Sequence, residues 1–203
     1  MKKNNKWFIE IGVGYENTLR KLIDNGWFGI MIDPQQESLN LLEPHPNLYK
    51  ECVAIDTTSG IKNFLSVKDL SIFDEPLIVA GMFGLETAPT PMHDDSYDEY
   101  RIISQVQTMR LDDIIKKYHL TEIDFLKIDV EGHDIPILMD YSFIIKPKVI
   151  KFEHIHHSGK IYDATGGGFD QTQMTKNYYK LIENLKKMGY LVWEETNDVY
   201  CVL

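Results

Sequence analysis

Cysteine is scarce in this sequence, with only two among 203 residues, at Cys52 and Cys201. Each lies inside an apolar run, where a thiol behaves as a small hydrophobic group. Two isolated cysteines exclude a disulfide framework of the kind that small secreted domains use. We therefore expect a protein of a reducing compartment, the cytoplasm.

Basic residues are also in short supply, since 21 lysines and arginines face 31 aspartates and glutamates, for a formal net charge of -10. Such a chain repels a phosphate backbone unless a local basic patch intervenes. The lysines near each end of the sequence are not interleaved with the aromatic residues that base stacking requires. Nucleic acid is therefore not an expected partner.

Long hydrophobic runs are missing as well. The first apolar stretch, residues 7–13, is short and is broken by Glu10 and by Gly12, so it predicts neither a signal peptide nor a transmembrane segment. The length suits one globular domain. No internal repeat or linker divides the chain, and we expect a single soluble domain over residues 1–203.

The apolar segments alternate between short strands and amphipathic helices. Strands are predicted at residues 7–12, 27–32, 48–55, 124–128 and 149–155, and helices at 15–25, 35–42, 111–118, 133–140 and 175–188. Two further strands, 190–194 and 199–203, flank a hairpin turn. Strands separated by single helices predict a parallel sheet with right-handed crossovers.

The middle of the chain breaks this alternation. Short strands are predicted at 61–65, 77–80 and 104–109 without helices between them, which indicates an antiparallel insertion around residues 57–110. Residues 82–100 and the glycine-containing stretch 156–176 are expected to be loops, the kind of segment that commonly contacts a ligand.

Acidic residues end several of the predicted parallel strands. Glu10, Asp33, Asp56 and Asp129 hold these positions, and Gly12 makes a narrow first turn. Ligands of open α/β sheets bind beyond the carboxyl ends of the strands, where carboxylates accept hydrogen bonds from ribose hydroxyls or an adenine amine.

The spacing of these residues leaves two nucleotide cofactors open. Asp33 follows Gly12 by 21 residues, close to the roughly 20 expected for a carboxylate that contacts ribose, so a nicotinamide-dependent oxidoreductase is an alternative. Against it, Asn17 stands where a dinucleotide fingerprint has its third glycine.

The run Leu-Lys-Ile-Asp-Val-Glu-Gly-His-Asp at residues 126–134 resembles the FkbM-type methyltransferases. Residues 32–34, 108–114, 150–154 and the closing helix and hairpin support this resemblance, which extends over nearly the whole chain from Trp7. It implies a Rossmann-like class I methyltransferase fold, with a mostly parallel seven-stranded sheet, helices on both faces and an antiparallel last strand. It also implies S-adenosylmethionine as the cofactor and, commonly, an acceptor hydroxyl on a sugar or natural product.

The resemblance further implies roles for individual residues. The first turn would hold the methionine end of the cofactor, Asp33 and Pro34 its ribose and Ile55 with Asp56 its adenine, while Asp129 would border the transferred methyl. The residues of the first turn in question are Glu10, Gly12, Gly14 and Asn17. The family usually has Ala-Asn after the first glycine and another glycine two residues later, whereas this chain has Val13-Gly14 and then Glu16.

Methyl transfer to oxygen requires a base beside the acceptor. The candidates at adjacent strand ends are Asp129, Glu131, Glu153 and His154. Asp129, Glu153 and His154 form an alternative set that would bind a divalent cation and orient a diol. Strand alternation places Glu153 and His154 on opposite faces of the sheet.

The sequence leaves the acceptor and the oligomeric state open. A glycan or small hydroxylated molecule is the leading acceptor, a protein side chain or another metabolite is the rival, and a homo-oligomer is compatible with the chain. A catalytically silent binding module also stays possible, because fold does not prove function.

Overall fold

The computed structural model describes residues 5–15, 19–75, 79, 82–154 and 170–203. A seven-stranded sheet forms its centre and consists of β1 (Trp7–Ile11), β2 (Phe28–Ile32), β3 (Leu48–Glu51), β8 (Phe125–Ile128), β9 (Val149–Glu153), β10 (Leu191–Glu195) and β11 (Asp198–Val202). The strand order in this sheet is β10-β11-β9-β8-β1-β2-β3.

Strands β3, β2, β1, β8 and β9 are mutually parallel, and β11 is antiparallel to both of its neighbours, β9 and β10. The predicted mostly parallel sheet with an antiparallel last strand is therefore confirmed. Because the five strands run in one direction, their carboxyl ends meet at a single edge, where Asp33 and Asp129 follow β2 and β8.

Helices cover both faces of this sheet, as predicted. They are α1 (Arg20–Asp24), α2 (Gln36–Asn40), α3 (Leu111–Lys117), α4 (Asp134–Asp140) and α5 (Gln171–Lys187). Phe8 and Met31 pack with α1 and α2, whereas Ile9 and Ile30 pack in the core that contains α3, α4 and α5. Burial on both faces explains why β1 and β2 are apolar with few interruptions.

A second sheet, with the order β4-β7-β5-β6, is built from β4 (Ala54–Ile55), β5 (Gly60–Val67), β6 (Gly84–Leu85) and β7 (Arg101–Met109). Strand β5 is antiparallel to β6 and β7, which confirms the antiparallel insertion, while β4 is parallel to β7. Its apolar interior includes Phe64, Phe83 and Leu85.

Two predicted strands differ from the structure. The predicted strand 48–55 is divided, because the chain leaves the main sheet after Glu51 and pairs Ala54–Ile55 with β7 instead. In the predicted strand 77–80, Val79 is helical and its N–H donates to the Glu75 carbonyl at 3.2 Å, while the other three residues lie outside the described ones. A short apolar run does not by itself distinguish a strand from a buried helical turn.

Helix α5 begins four residues before its predicted start at residue 175. The Asp170 side chain accepts a hydrogen bond from the backbone N–H of Gln173 at 3.0 Å and so caps the helix. Of the expected loop 156–176, residues 156–169 lie outside the described residues. None of the helices in the described ranges is long and apolar enough to cross a membrane.

Candidate active site

A cavity of about 420 Å³ opens at the carboxyl ends of β1, β2 and β8. Its wall combines the β1–α1 turn, residues 33–35, the 53–55 segment, the turn that follows β8 and three apolar residues of the insertion, Phe64, Phe83 and Leu85. The small sheet therefore encloses a ligand site whose polar groups come from the edge of the large sheet.

Gly12 brings the first turn into contact with the end of β8. Its backbone has φ +78°, and a Cβ atom placed there would lie 1.7 Å from the carbonyl oxygen of Asp129. Its N–H donates to the Ile32 carbonyl at 2.9 Å, which ties β1 to β2. Only glycine fits this position without displacing the β8 end.

Asp33 fixes the same turn from the side of β2. One of its carboxylate oxygens accepts the Gly14 N–H at 2.9 Å and the other accepts the Gln35 N–H at 2.8 Å. Burial raises the pKa of Asp33 despite these backbone hydrogen bonds. Asp33 and Pro34 both line the cavity, so the two residues predicted to contact ribose face the same space.

Ile55 also lines the cavity, but the Asp56 carboxylate next to it is turned into the protein. It ion-pairs with Lys62 and accepts a hydrogen bond from His133 Nε2 at 2.8 Å. Burial acts to raise the pKa of Asp56, but the hydrogen bonds from His133, Lys62 and the Thr57 N–H outweigh it and hold that pKa below its usual range. The adenine contact expected of Asp56 remains a prediction, with Ile55 as the residue of this pair at the wall.

Glu10 lies beneath the cavity wall rather than in it. It is fully buried and faces Lys127 across the parallel β1–β8 pair, with Lys127 Nζ 3.1 Å from Glu10 Oε1. The same Nζ lies 3.4 Å from Asp129 Oδ2. Lys127 and Asp129 both line the cavity, so a buried acid, a lysine and a second acid form one chain of charges at its base.

Three carboxylates converge beside this chain. One oxygen from each of Asp129, Glu131 and Glu153 lies within 4.8 Å of the others. Glu131 holds a left-handed backbone conformation with φ +52°, which is costly for a residue with a side chain and is typical of functional turns. The predicted catalytic residues Asp129, Glu131 and Glu153 are therefore brought together, with Asp129 and Glu131 at the cavity wall.

A fourth carboxylate, Asp134, lies behind the cluster. It is fully buried, and its Oδ1 accepts the backbone N–H of Glu153 at 3.2 Å. Burial, and next the negative charge of Asp129, raise the pKa of Asp134 to about 8. Burial, followed by the charges of Glu131, Asp134 and Asp129, raises the pKa of Glu153 to about 9. Near neutral pH the cluster thus holds protons on its inner members.

His154 lies apart from the cluster. Its ring stacks on Tyr178 of α5 at a centroid distance of 5.5 Å, on the face opposite to Glu153. Within the described residues, the group close enough to share one cation consists of Asp129, Glu131 and Glu153, so the expected set of Asp129, Glu153 and His154 is not assembled. The alternation of side chains along β9 is the reason. The predicted cofactor residue Asn17 lies outside the described residues.

Several residues of the site were not predicted from the sequence. Lys127 is two residues before Asp129 and therefore on the same face of β8, a signal that periodicity alone provides. The burial of Asp134 was not predicted, because an aspartate just after a glycine turn is usually exposed to solvent. Phe64, Phe83 and Leu85 reach the cavity only through the packing of the small sheet, which no local pattern predicts.

Replacing Glu153 by Gln is expected to stabilise the protein at alkaline pH. The native state keeps the Glu153 proton up to a pKa of about 9, whereas the unfolded chain loses it near the usual 4.5. The folded state therefore binds more protons across this window, and the free energy of unfolding falls as pH rises. We expect Glu153→Gln to raise that free energy by roughly 1–3 kcal/mol at pH 8 and to flatten its decline, measured by urea unfolding from pH 6 to 9. The exposed Glu99→Gln is the control, and parallel pH curves for all three proteins would contradict the assignment.

The strand order, with its antiparallel last strand and a glycine turn facing a carboxylate at the end of β2, is the one expected of a Rossmann-like methyltransferase. A family model described as the methyltransferase FkbM domain matches residues 8–192. The chain belongs to the FkbM methyltransferase family. The methyltransferase class expected from the sequence is thereby confirmed over the nicotinamide-dependent oxidoreductase.

No curated protein matches the chain. Among solved structures, a crystal structure of a fibrillarin/Nop5p complex aligns over 97% of this chain and 71% of that chain, with 12% identity and a TM-score of 0.41. A likeness this distant carries no argument about function.

Proposed function

We propose that this protein transfers a methyl group from S-adenosylmethionine to a hydroxyl of a sugar, glycan or related small acceptor. The observation that carries the proposal is the group of carboxylates Asp129, Glu131 and Glu153, of which Asp129 and Glu131 line the same cavity as Gly12 and Asp33. In this proposal a nucleoside site and a proton-accepting site share one wall.

The residues present fit the methyl donor. A Cβ at Gly14 would meet no atom within 4 Å, so the turn is open toward the cavity at this residue, and Asp33 presents a buried carboxylate beside it. Asp33 and Pro34 would hold the ribose, and Val53, Ile55 and Phe64 offer apolar surface for the adenine. When bound, the donor supplies a sulfonium whose methyl group is electrophilic.

The chain itself has to orient the acceptor and remove its proton. Asp129 is the base in this proposal: its side chain is 39% exposed and lines the cavity, and a carboxylate oxygen takes the proton of the acceptor hydroxyl. Glu131, in the same wall, accepts a hydrogen bond from a second hydroxyl group of the acceptor. Glu153, protonated below a pKa of about 9, keeps the inner part of the cluster neutral.

The charges of the cavity favour an uncharged polyol as the acceptor. In this wall Asp33, Asp129 and Glu131 outnumber Lys127, so the wall disfavours phosphorylated or carboxylated acceptors and accepts hydrogen bonds from hydroxyl groups. The carboxylate oxygens of Asp129, Glu131 and Glu153 are also suitable ligands for Mg²⁺ or Mn²⁺. A chelator added during turnover tests whether a metal is required, and unchanged activity would exclude that requirement.

The proposal is tested by incubating the purified protein with S-adenosylmethionine carrying a labelled methyl group and panels of monosaccharides, oligosaccharides and peptides. Transfer to a sugar, with an ether linkage located by fragmentation, supports it. Transfer confined to peptides would move the acceptor class to protein side chains. Binding of NAD without binding of S-adenosylhomocysteine would overturn the proposal altogether.

Replacing Asp33 by Ala is expected to weaken S-adenosylhomocysteine binding by about 30- to 100-fold, because hydrogen bonds to a charged acceptor are lost. Asp33 also organises the Gly14 and Gln35 backbone, so calorimetry should include an analogue that lacks both ribose hydroxyls. The variant should bind this analogue nearly as well as the wild type does. Equal losses for the two ligands would mean that Asp33 shapes the turn without contacting ribose.

A further inference from the structure

We infer that Lys127 is the residue that binds the carboxylate of the cofactor's amino-acid end, and that Glu10 positions it from below. This inference rests on the proposed function, since it concerns the same cofactor. Neither role was expected from the sequence, since the family resemblance implied Glu10 itself as the contact.

In the part of the wall that the described residues form, one cationic side chain is available for this purpose. Lys127 is the only lysine or arginine among the described residues that line it, and His133 in the same wall is engaged with Asp56. The other charged groups of the wall are Asp33, Asp129 and Glu131. Of these groups Lys127 alone attracts a ligand carboxylate, so a carboxylate-bearing ligand is oriented with that group toward Lys127, while Asp129 next to it can accept hydrogen bonds from the ligand's ammonium.

Lys127 is also held in place before any ligand arrives. Its side chain is only 7% exposed, and Nζ is fixed between Glu10 Oε1 at 3.1 Å and Asp129 Oδ2 at 3.4 Å. The strand register sets this arrangement, because Glu10 and Lys127 are direct partners in the β1–β8 ladder. A buried, paired ammonium loses little conformational freedom on binding an anion, which favours affinity.

The position of Lys127 agrees with the order of groups along the cofactor. Asp33 lies at the end of β2 and Lys127 on β8, with β1 between them, so the two strands are roughly 10 Å apart. If the ribose is held at Asp33 and the sulfur lies next to Asp129, the amino-acid chain continues over β8. The carboxylate at the end of that chain then lies next to the Lys127 ammonium, which is also paired with Asp129.

The closing experiment compares two ligands that differ in one group: S-adenosylhomocysteine and its decarboxylated analogue, which keeps the ammonium. Calorimetry gives the ratio of their dissociation constants for the wild type and for Lys127→Met. We expect the wild type to prefer S-adenosylhomocysteine and Lys127→Met to lose this preference by about tenfold or more, with little change for the decarboxylated analogue.

A double variant, Glu10→Gln with Lys127→Met, removes both charges and avoids leaving a buried glutamate unpaired if the single variant fails to fold. It should show the same loss of preference. Recovery of the preference in the double variant would overturn the inference, because Lys127 would then only neutralise Glu10. A preference unchanged in Lys127→Met, or absent from a wild type that binds both ligands, would overturn it too. A wild type that binds neither ligand would contradict the proposed function instead.

Discussion

Replacing Gly12 by Ala is expected to destabilise the protein by about 4 kcal/mol or more and to abolish cofactor binding. The added Cβ would lie 1.7 Å from the carbonyl oxygen of Asp129 and 2.7 Å from its carbonyl carbon. Neither is the end of a flexible side chain, so the β1 turn or the end of β8 has to move. Urea unfolding measures the first effect, and calorimetry with S-adenosylhomocysteine measures the second.

Gly14→Ala is the matched control for this change. Gly14 has φ +57°, a left-handed conformation like that of Gly12, but a Cβ there meets nothing within 4 Å. We expect this variant to cost only about 1–2 kcal/mol, the usual price of a left-handed residue with a side chain. Similar losses for both variants would show that backbone conformation, and not the contact with Asp129, makes Gly12 necessary.

Replacing Asp129 by Asn is expected to lower kcat by about 10²- to 10⁴-fold, the usual contribution of a positioned general base. The amide keeps the size of the side chain but no longer accepts a proton. Rates should be measured with the acceptor found in the labelling screen, under conditions that saturate both substrates. The acceptor KM should change much less than kcat, because the hydroxyl contact to Glu131 is kept.

Glu131→Gln provides the comparison within the same wall. If Glu131 only orients the acceptor, this variant raises KM and leaves most of kcat. A larger loss of kcat in Glu131→Gln than in Asp129→Asn would move the base to Glu131. Retention of a tenth or more of kcat in Asp129→Asn would remove Asp129 from that role.

The sequence predicted the parts of the site that follow from local pattern and family resemblance. Gly12 and Asp33 follow apolar strands, and their spacing indicated a nucleotide contact. Alternation along β9 correctly separated Glu153 from His154, because side chains of consecutive strand residues point to opposite faces. The division of residues 48–55 between two sheets escaped prediction, since either pairing satisfies the same apolar pattern.

The sequence by itself determined the family, the succession of the main strands and helices along the chain, and the positions of Asp33 and Asp129 at strand ends, because these depend on periodicity and on motifs that are local in the chain. The tertiary structure decided which of those acids meet a ligand. Strand register placed Glu10 under Lys127, the small sheet brought Phe64 to the cavity, and burial among like charges left Glu153 protonated near neutral pH. Strand register, packing between the sheets and burial all depend on contacts between residues far apart in the sequence, so no local pattern predicts them.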